Sequence, residues 1–225
     1  MSEIKISINM LNTNEEIHEE NKNLFDEEGI FIINLMGSPG AGKTTILEKL
    51  IPKLKQNLNI AVIEGDLYTT KDAQRIEAKG VPVVQVNTVG TSYLEGSKVR
   101  EASLNFDLRG IGLIIIENVG SLVSPAKFEI GEDIKICLLS VTEGNDKPLK
   151  YPMMFEKSTA IILNKIDLIT FTDFMVEEFY EDIKLLNNKA KIFQTSCTRN
   201  DGIDDLSEWI LTQAKEKISR HLKEN

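Results

Sequence analysis

The chain has 225 residues, 41% of them hydrophobic and 27% charged, proportions that suit one packed domain with trimmings and exclude collagen-like, low-complexity and wholly disordered chains. Its 26 Lys and Arg against 35 Asp and Glu leave a net charge of -9, which disfavours nucleic acid and anionic lipid as partners. Apolar runs such as Ile30 to Leu35 fall short of the ~20 residues that cross a bilayer, and no basic and apolar leader opens the chain, so no membrane association and a cytoplasmic location are expected.

Residues 1 to 12 read as irregular. Asn14 to Glu28 carries Ile17, Leu24 and Phe25 on a weak helical stripe, which predicts a loosely docked helix. Residues 1–28 thus form an N-terminal extension and helix, and residues 29–225 a single domain. From Ile30 onward short β-branched or apolar runs alternate with helical segments. Ile30 to Met36, Ile60 to Ile63, Val81 to Val86, Gly112 to Ile116, Ile134 to Val141, Thr159 to Leu163 and Lys191 to Gln194 predict seven strands. Several are apolar on consecutive residues, as in strands covered on both sides. Leu47, Leu50, Ile51, Leu54 and Leu58 recur at helical spacing after the first strand, with Pro52 expected to bend that helix, and Ile203, Leu206, Ile210, Ala214 and Ile218 do so after the last. The fold class that follows is α/β, a mostly parallel seven-stranded sheet with helices on both faces. Function is then sought in the loops beyond the carboxyl ends of the strands.

The first such loop reads Gly37-Ser38-Pro39-Gly40-Ala41-Gly42-Lys43-Thr44, a full G-x-x-x-x-G-K-[ST] match between an apolar strand and an amphipathic helix. Its glycines let successive N–H groups face phosphate oxygens, and the helix N-terminus adds partial positive charge at the same place. Lys43 is positioned to reach the β and γ phosphates, Thr44 to ligate Mg²⁺, and Thr45 continues the nucleotide-binding run. Asn164-Lys165-Ile166-Asp167 follows the sixth strand and resembles the guanine-reading N-K-x-D of GTPases. The Asp167 carboxylate can accept from both donors on one edge of guanine, Asn164 can brace the loop, and the Lys165 stem can cover the purine. Thr195-Ser196-Cys197 stands where GTPases offer a small residue and a backbone N–H to the guanine oxygen; Cys197 as simple filler fits equally.

Two acids compete for the metal. Glu117 ends the Walker B-like run Leu113 to Glu117, and Asp66 follows the second strand; Mg²⁺ takes few protein carboxylates and keeps several waters. Asp72, three residues after Thr69, reads equally well as part of a helix cap. Lys43, Asp66 and Glu117 are the candidate catalytic residues. No glutamine is obviously placed to orient a hydrolytic water, so slow intrinsic turnover is expected. The two cysteines, Cys137 and Cys197, form no C-x-x-C pair, and His18 and His221 are the sole imidazoles, which points away from disulfides and from a zinc site built on soft ligands.

Five further segments carry a family resemblance: Val62 to Leu67, Gly80-Val81-Pro82, Ile116-Glu117-Asn118-Val119-Gly120, Leu139 to Gly144, and Asp146-Lys147-Pro148-Leu149-Lys150-Tyr151-Pro152. Together with the two nucleotide motifs, these make the chain resemble the HypB family, the hydrogenase nickel-incorporation GTPases, in the SIMIBI class of P-loop G domains. The resemblance implies a GTP/GDP cycle with Mg²⁺, a homodimer in the GTP state, and work with a small zinc-containing nickel chaperone on a hydrogenase precursor. It also implies a metal site of Cys, His and Cys across the dimer, and there the chain departs. The corresponding positions are Ser92, Tyr93 and Ser124, and neutral hydroxyls are poor ligands for Ni²⁺ or Zn²⁺. Two readings follow: a GTPase that drives metallocentre assembly, and a GTP-gated scaffold or chaperone for another enzyme that binds no transition metal.

Overall fold

The computed structural model describes residues 2–66, 69–88 and 91–224. Leu67, at the end of the Val62 landmark, lies outside them. The elements in chain order are α1 (Ser2–Glu27), β1 (Phe31–Gly37), α2 (Lys43–Leu54), β2 (Ile60–Asp66), α3 (Lys71–Glu77), β3 (Val83–Asn87), α4 (Gly96–Ser103), β4 (Leu113–Glu117), β5 (Ile134–Ser140), α5 (Lys147–Lys150), α6 (Pro152–Glu156), β6 (Ala160–Asn164), α7 (Val176–Leu186), β7 (Lys191–Thr195) and α8 (Ile203–Glu224). Short 3-10 turns occupy Val141–Glu143 and Ile166–Phe171.

All seven expected strands are present in one sheet of order β3-β2-β4-β1-β5-β6-β7, every pair parallel. The strand β2 runs past its apolar run to Asp66, because pairing with β3 continues through Glu64↔Gln85 to Asp66↔Asn87. Parallel strands need crossovers, and the helices supply them. One face of the sheet buries Phe31, Ile33 and Leu35 of β1 under Leu47, Leu50 and Ile51 of α2 and Leu206 and Ile210 of α8. The other splits into two clusters. Ile32, Ile63 and Ile116 pack with Phe25 of α1 and Val99 of α4, while Met36, Cys137 and Leu163 pack with Phe155 of α6 and Phe179 of α7. Pro52 lies in the last turn of α2, which ends two residues later at Leu54, so Leu58 packs on the core from beyond the helix.

The N-terminal segment differs from the sequence reading in two ways. Helix α1 begins at Ser2, so the stretch expected to be irregular is helical; once a helix is nucleated, each added residue costs little more. Its second half is also firmly docked. Phe25 is fully buried, and the buried Asn21 amide donates to Gly96 O at 2.8 Å and Ile130 O at 2.9 Å. Lys22 pairs with Asp26 and Asp133, and Lys217 of α8 pairs with the same two acids. Burial pushes the Asp26 carboxyl up, but the two lysines outweigh it and hold its pKa below the usual range. Charges that look like a solvated face in sequence are cross-links in space.

Between the two clusters of the second face runs a buried polar chain. Asn118 Nδ2 donates to Asn34 Oδ1 at 3.1 Å, Asn34 Nδ2 donates to Glu132 Oε1 at 3.1 Å, and Lys135 pairs with Glu132 at 2.9 Å and Glu129 at 2.6 Å. The buried members, Asn118, Asn34, Glu132 and Lys135, each have a partner, as burial demands.

Candidate functional site

Strand β1 lies between β4 on one side and β5 on the other, so the chain reverses its winding there and leaves a crevice at the carboxyl end of β1. The Gly37–Thr44 loop fills that position. Gly42 caps α2 with φ +105° and offers no side chain to the helix end, leaving the first N–H groups of α2 for an anion. Only glycine fits here, since a Cβ would lie 2.6 Å from Asn164 Nδ2. The buried Lys43 ammonium reaches back to Gly37 O and Ser38 O, each at 3.4 Å. Such long contacts hold it in place and are readily exchanged for phosphate oxygens. Ser38 Oγ hydrogen-bonds Glu143, whose other oxygen accepts from Ser140 N at 2.9 Å. This anchors the loop to the end of β5.

A cavity of about 420 Å³ opens over this loop, lined among others by Lys43, Thr44, Thr45, Asp66, Glu117 and Lys165. Thr44 Oγ1 donates to Glu117 Oε1 at 2.9 Å, while Glu117 Oε2 is buried with no partner. Burial raises the Glu117 pKa, partly offset by Lys43. Asp66 is occupied differently, because its Oδ2 accepts from the hydroxyl of Thr69 at 2.7 Å. Thr69 therefore serves Asp66 and is not a helix cap; Thr70 precedes α3 without a side-chain cap bond, and Asp72 in the first turn of α3 pairs with Arg75 at 2.8 Å. Two lining residues escaped the sequence reading. Glu64 stands opposite Glu117 in the β2/β4 register, and burial followed by the Glu117 charge pushes its pKa up to about 11. Arg75 bonds Thr45 Oγ1 at 3.1 Å and Glu48 at 2.6 Å. The Glu64 signal was present in Glu64-Gly65-Asp66, but strand periodicity alone does not tell which acid turns inward.

The Asn164–Asp167 loop is tied to the phosphate loop directly. Asn164 Nδ2 donates to Ala41 O at 3.0 Å and Lys165 Nζ to Gly40 O at 2.6 Å. Lys165 takes a left-handed conformation, φ 61°, that turns the chain sharply after β6. On the far side, Thr195 Oγ1 donates to Asn164 Oδ1 at 3.0 Å, Ser196 Oγ donates to Asp167 Oδ1 at 2.6 Å, and Cys197 Sγ lies 3.8 Å from Asn164 Oδ1. Asp167, Ser196 and Cys197 are not among the residues that line the 420 Å³ cavity, whose lining on this side ends at Lys165.

Ser92 and Ser124 also meet in space. Their hydroxyl oxygens are 2.8 Å apart, and Tyr93 stacks on Phe128 with ring centroids 4.5 Å apart. Val89 and Gly90, in the loop that leads to Ser92, lie outside the described residues. Asn118, next to Glu117, accepts from Leu94 N at 3.0 Å, so this loop is fastened to the end of β4.

An α/β sheet with a glycine-rich phosphate loop at its switch point and an acid on the neighbouring strand defines a P-loop nucleoside triphosphate-binding domain. A family model for the CobW/HypB/UreG nucleotide-binding domain matches residues 31–194. The hydrogenase maturation factor HypB of Escherichia coli K12 is 40% identical over 210 residues, covering 93% of this chain and 72% of that protein. The hydrogenase/urease maturation factor HypB of Helicobacter hepaticus is 36% identical over 222 residues, covering 97% and 91%. Among solved structures, HypB from Helicobacter pylori in complex with nickel superposes with a TM-score of 0.87 at 37% identity, covering 92% of this chain and 97% of that one. HypB from Archaeoglobus fulgidus gives 0.85 at 28% identity, covering 91% and 100%. The chain belongs to the HypB hydrogenase maturation factors of the CobW/HypB/UreG family. As expected from the family motifs, its fold is that of P-loop GTPases.

Proposed function

We propose that the chain binds and hydrolyses GTP with Mg²⁺, at a slow intrinsic rate, to drive metallocentre assembly, nickel insertion into a hydrogenase precursor. The observation that carries this reading is the pair of bonds from Asn164 and Lys165 to Ala41 and Gly40, which set a guanine-reading loop against a phosphate loop as one unit. In the proposed complex the α2 N–H groups and Lys43 bind the phosphates, Asp167 accepts from guanine, and the Lys165 stem covers the base. The hydroxyl of Thr44 and the unpartnered oxygen of Glu117 fit a hard divalent cation, and Asp66 stands beside them on the cavity wall. Mg²⁺, when bound there, neutralises charge on the phosphate oxygens. Lys43 holds the γ-phosphoryl group, and the phosphate loop excludes bulk water from it. By family, the GTP state is a homodimer that works with a small zinc-containing nickel chaperone.

A second reading keeps the nucleotide cycle and drops the metal: a GTP-gated scaffold or chaperone for another enzyme. The Ser92–Ser124 hydrogen bond favours it, since two hydroxyls satisfy each other where the resemblance implies thiolates. A pull-down in the GTP and GDP states, with metal analysis of what is retained, tests both. Nickel and a hydrogenase precursor retained in one nucleotide state support the first reading, and a metal-free client of another kind replaces it with the second.

A further inference from the structure

Glu64 lies in the Val62 to Leu67 segment that carries the resemblance, where the sequence reading gives it no role, and it is among the most buried acids of the described residues. It is 3% exposed, as is Glu117, and the two sit in register on adjacent parallel strands, β2 and β4, with both side chains lining the cavity beside Lys43 and Thr44. Each has an oxygen, Glu64 Oε2 and Glu117 Oε2, buried with no hydrogen-bond partner. An acid held this way in a purely structural role is costly, because its buried oxygen keeps a desolvation penalty and two carboxyl groups side by side repel when both are ionised, so the pair shares a proton until a cation takes its place. Apolar residues dominate the rest of β2 inside the sheet, so nothing in the packing demands an acid at this position. Asp66 differs: it is half-buried, and its Oδ2 is engaged by Thr69.

We propose that Glu64 is a positioning residue for the divalent cation of this site, holding the ion or its waters in concert with Glu117 when the triphosphate is bound. The proposal rests on the nucleotide reading above and deepens it. Two neighbouring carboxyl groups on the cavity wall, with the Thr44 hydroxyl as a third oxygen, form a hard-oxygen donor set suited to Mg²⁺ or Mn²⁺. Glu64 and Glu117 would then hold the ion or its waters together with the Thr44 hydroxyl. Gly65, between Glu64 and Asp66, leaves room for Leu94 against β2, since a Cβ there would lie 2.7 Å from Leu94 and 3.2 Å from Glu117 O.

The test separates ion affinity from nucleotide affinity. Binding of a fluorescent GTP analogue is measured in excess chelator and then across a Mg²⁺ titration, with Mn²⁺ binding to the nucleotide complex followed by paramagnetic resonance. In Glu64→Gln, affinity for the ion is expected to fall roughly 10- to 100-fold, the usual cost of losing a residue that supports a metal site, with chelator-state nucleotide affinity unchanged or improved. Glu64→Asp, which keeps the charge and shortens its reach, is expected to fall between Gln and the parent, and it also serves should Glu64→Gln fail to fold. Ion affinity within twofold of the parent in both variants overturns the proposal and leaves Glu64 and Glu117 as a proton-sharing pair. Absence of guanine nucleotide binding in the parent protein overturns the nucleotide reading itself, a result separate from any change in ion affinity.

Discussion

The phosphate cradle and the Ser92–Ser124 surface lie on the same carboxyl edge of the sheet, yet they are built in opposite ways. In the cradle, side chains reach out of their own loops: Asn164 and Lys165 hold Gly40 and Ala41, Glu143 holds Ser38, and Thr44 holds Glu117. On the second surface two hydroxyls bond each other and two aromatic rings stack. The first is a ligand site with charge and donors directed into a cavity; the second is closed on itself. Asn118 joins them, following Glu117 in sequence and accepting from Leu94 N near Tyr93. The nucleotide machinery can therefore be retained while the chemistry of the neighbouring surface changes, because different side chains carry the two and one asparagine links their backbones.

That contrast is broken most sharply at Lys43. Lys43→Ala removes the buried cation of the cradle, and loss of its charge-assisted bonds, about 2–3 kcal/mol, weakens triphosphate binding roughly a hundredfold. Nucleotide-linked dimerisation should vanish with it, as read by calorimetry and by light scattering with a non-hydrolysable GTP analogue. Undiminished affinity would remove the phosphate assignment. Asp167→Asn is expected to lower GTP affinity by about tenfold or more and to raise affinity for xanthosine triphosphate, because an amide donor replaces one carboxylate acceptor. If parent and variant bind ATP as well as GTP, the loop is an ordinary turn.

An effect of middle size is expected at α1, which packs against α4. Asn21→Ala strips partners from two buried carbonyls, Gly96 O and Ile130 O, and should cost about 2–3 kcal/mol of stability by denaturant unfolding. Nucleotide affinity should not change. On the second surface the effects are small: Ser92→Ala should alter stability by less than about 1 kcal/mol, and the parent protein should show no tight Ni²⁺ or Zn²⁺ site there. A stoichiometric tight site in a metal titration, lost on changing Ser92 or Ser124, would reverse that assignment. Smallest is the thiol chemistry. Burial pushes both thiol pKa values up, far more for the fully buried Cys137 than for Cys197. Thiolate forms only above the pKa, so labelling at neutral pH should be slow at Cys197, absent at Cys137, and faster as pH rises. Guanine nucleotide should protect Cys197.

The α/β class, all seven strands and the phosphate loop were legible because local patterns encode them. Consecutive apolar residues mark strands covered on both faces, and glycines at fixed offsets mark a loop that must curl. The docking of α1 was not legible: Asn21 and Lys22 look like solvated polar residues until Gly96, Ile130 and Asp133 are brought to them from far along the chain. Thr69 read as a cap for the same reason, since its partner is fixed by where β2 ends and not by the helix it precedes.

By itself the sequence determined the phosphate loop and the tetrad proposed to read the base, because both are contiguous segments whose chemistry needs only local backbone geometry. Tertiary structure alone decided the strand order, the inward turn of Glu64 against Glu117, and the meeting of Ser92 with Ser124. Each of these depends on pairing between segments distant in the chain, and register across a sheet leaves no periodic trace in either strand alone.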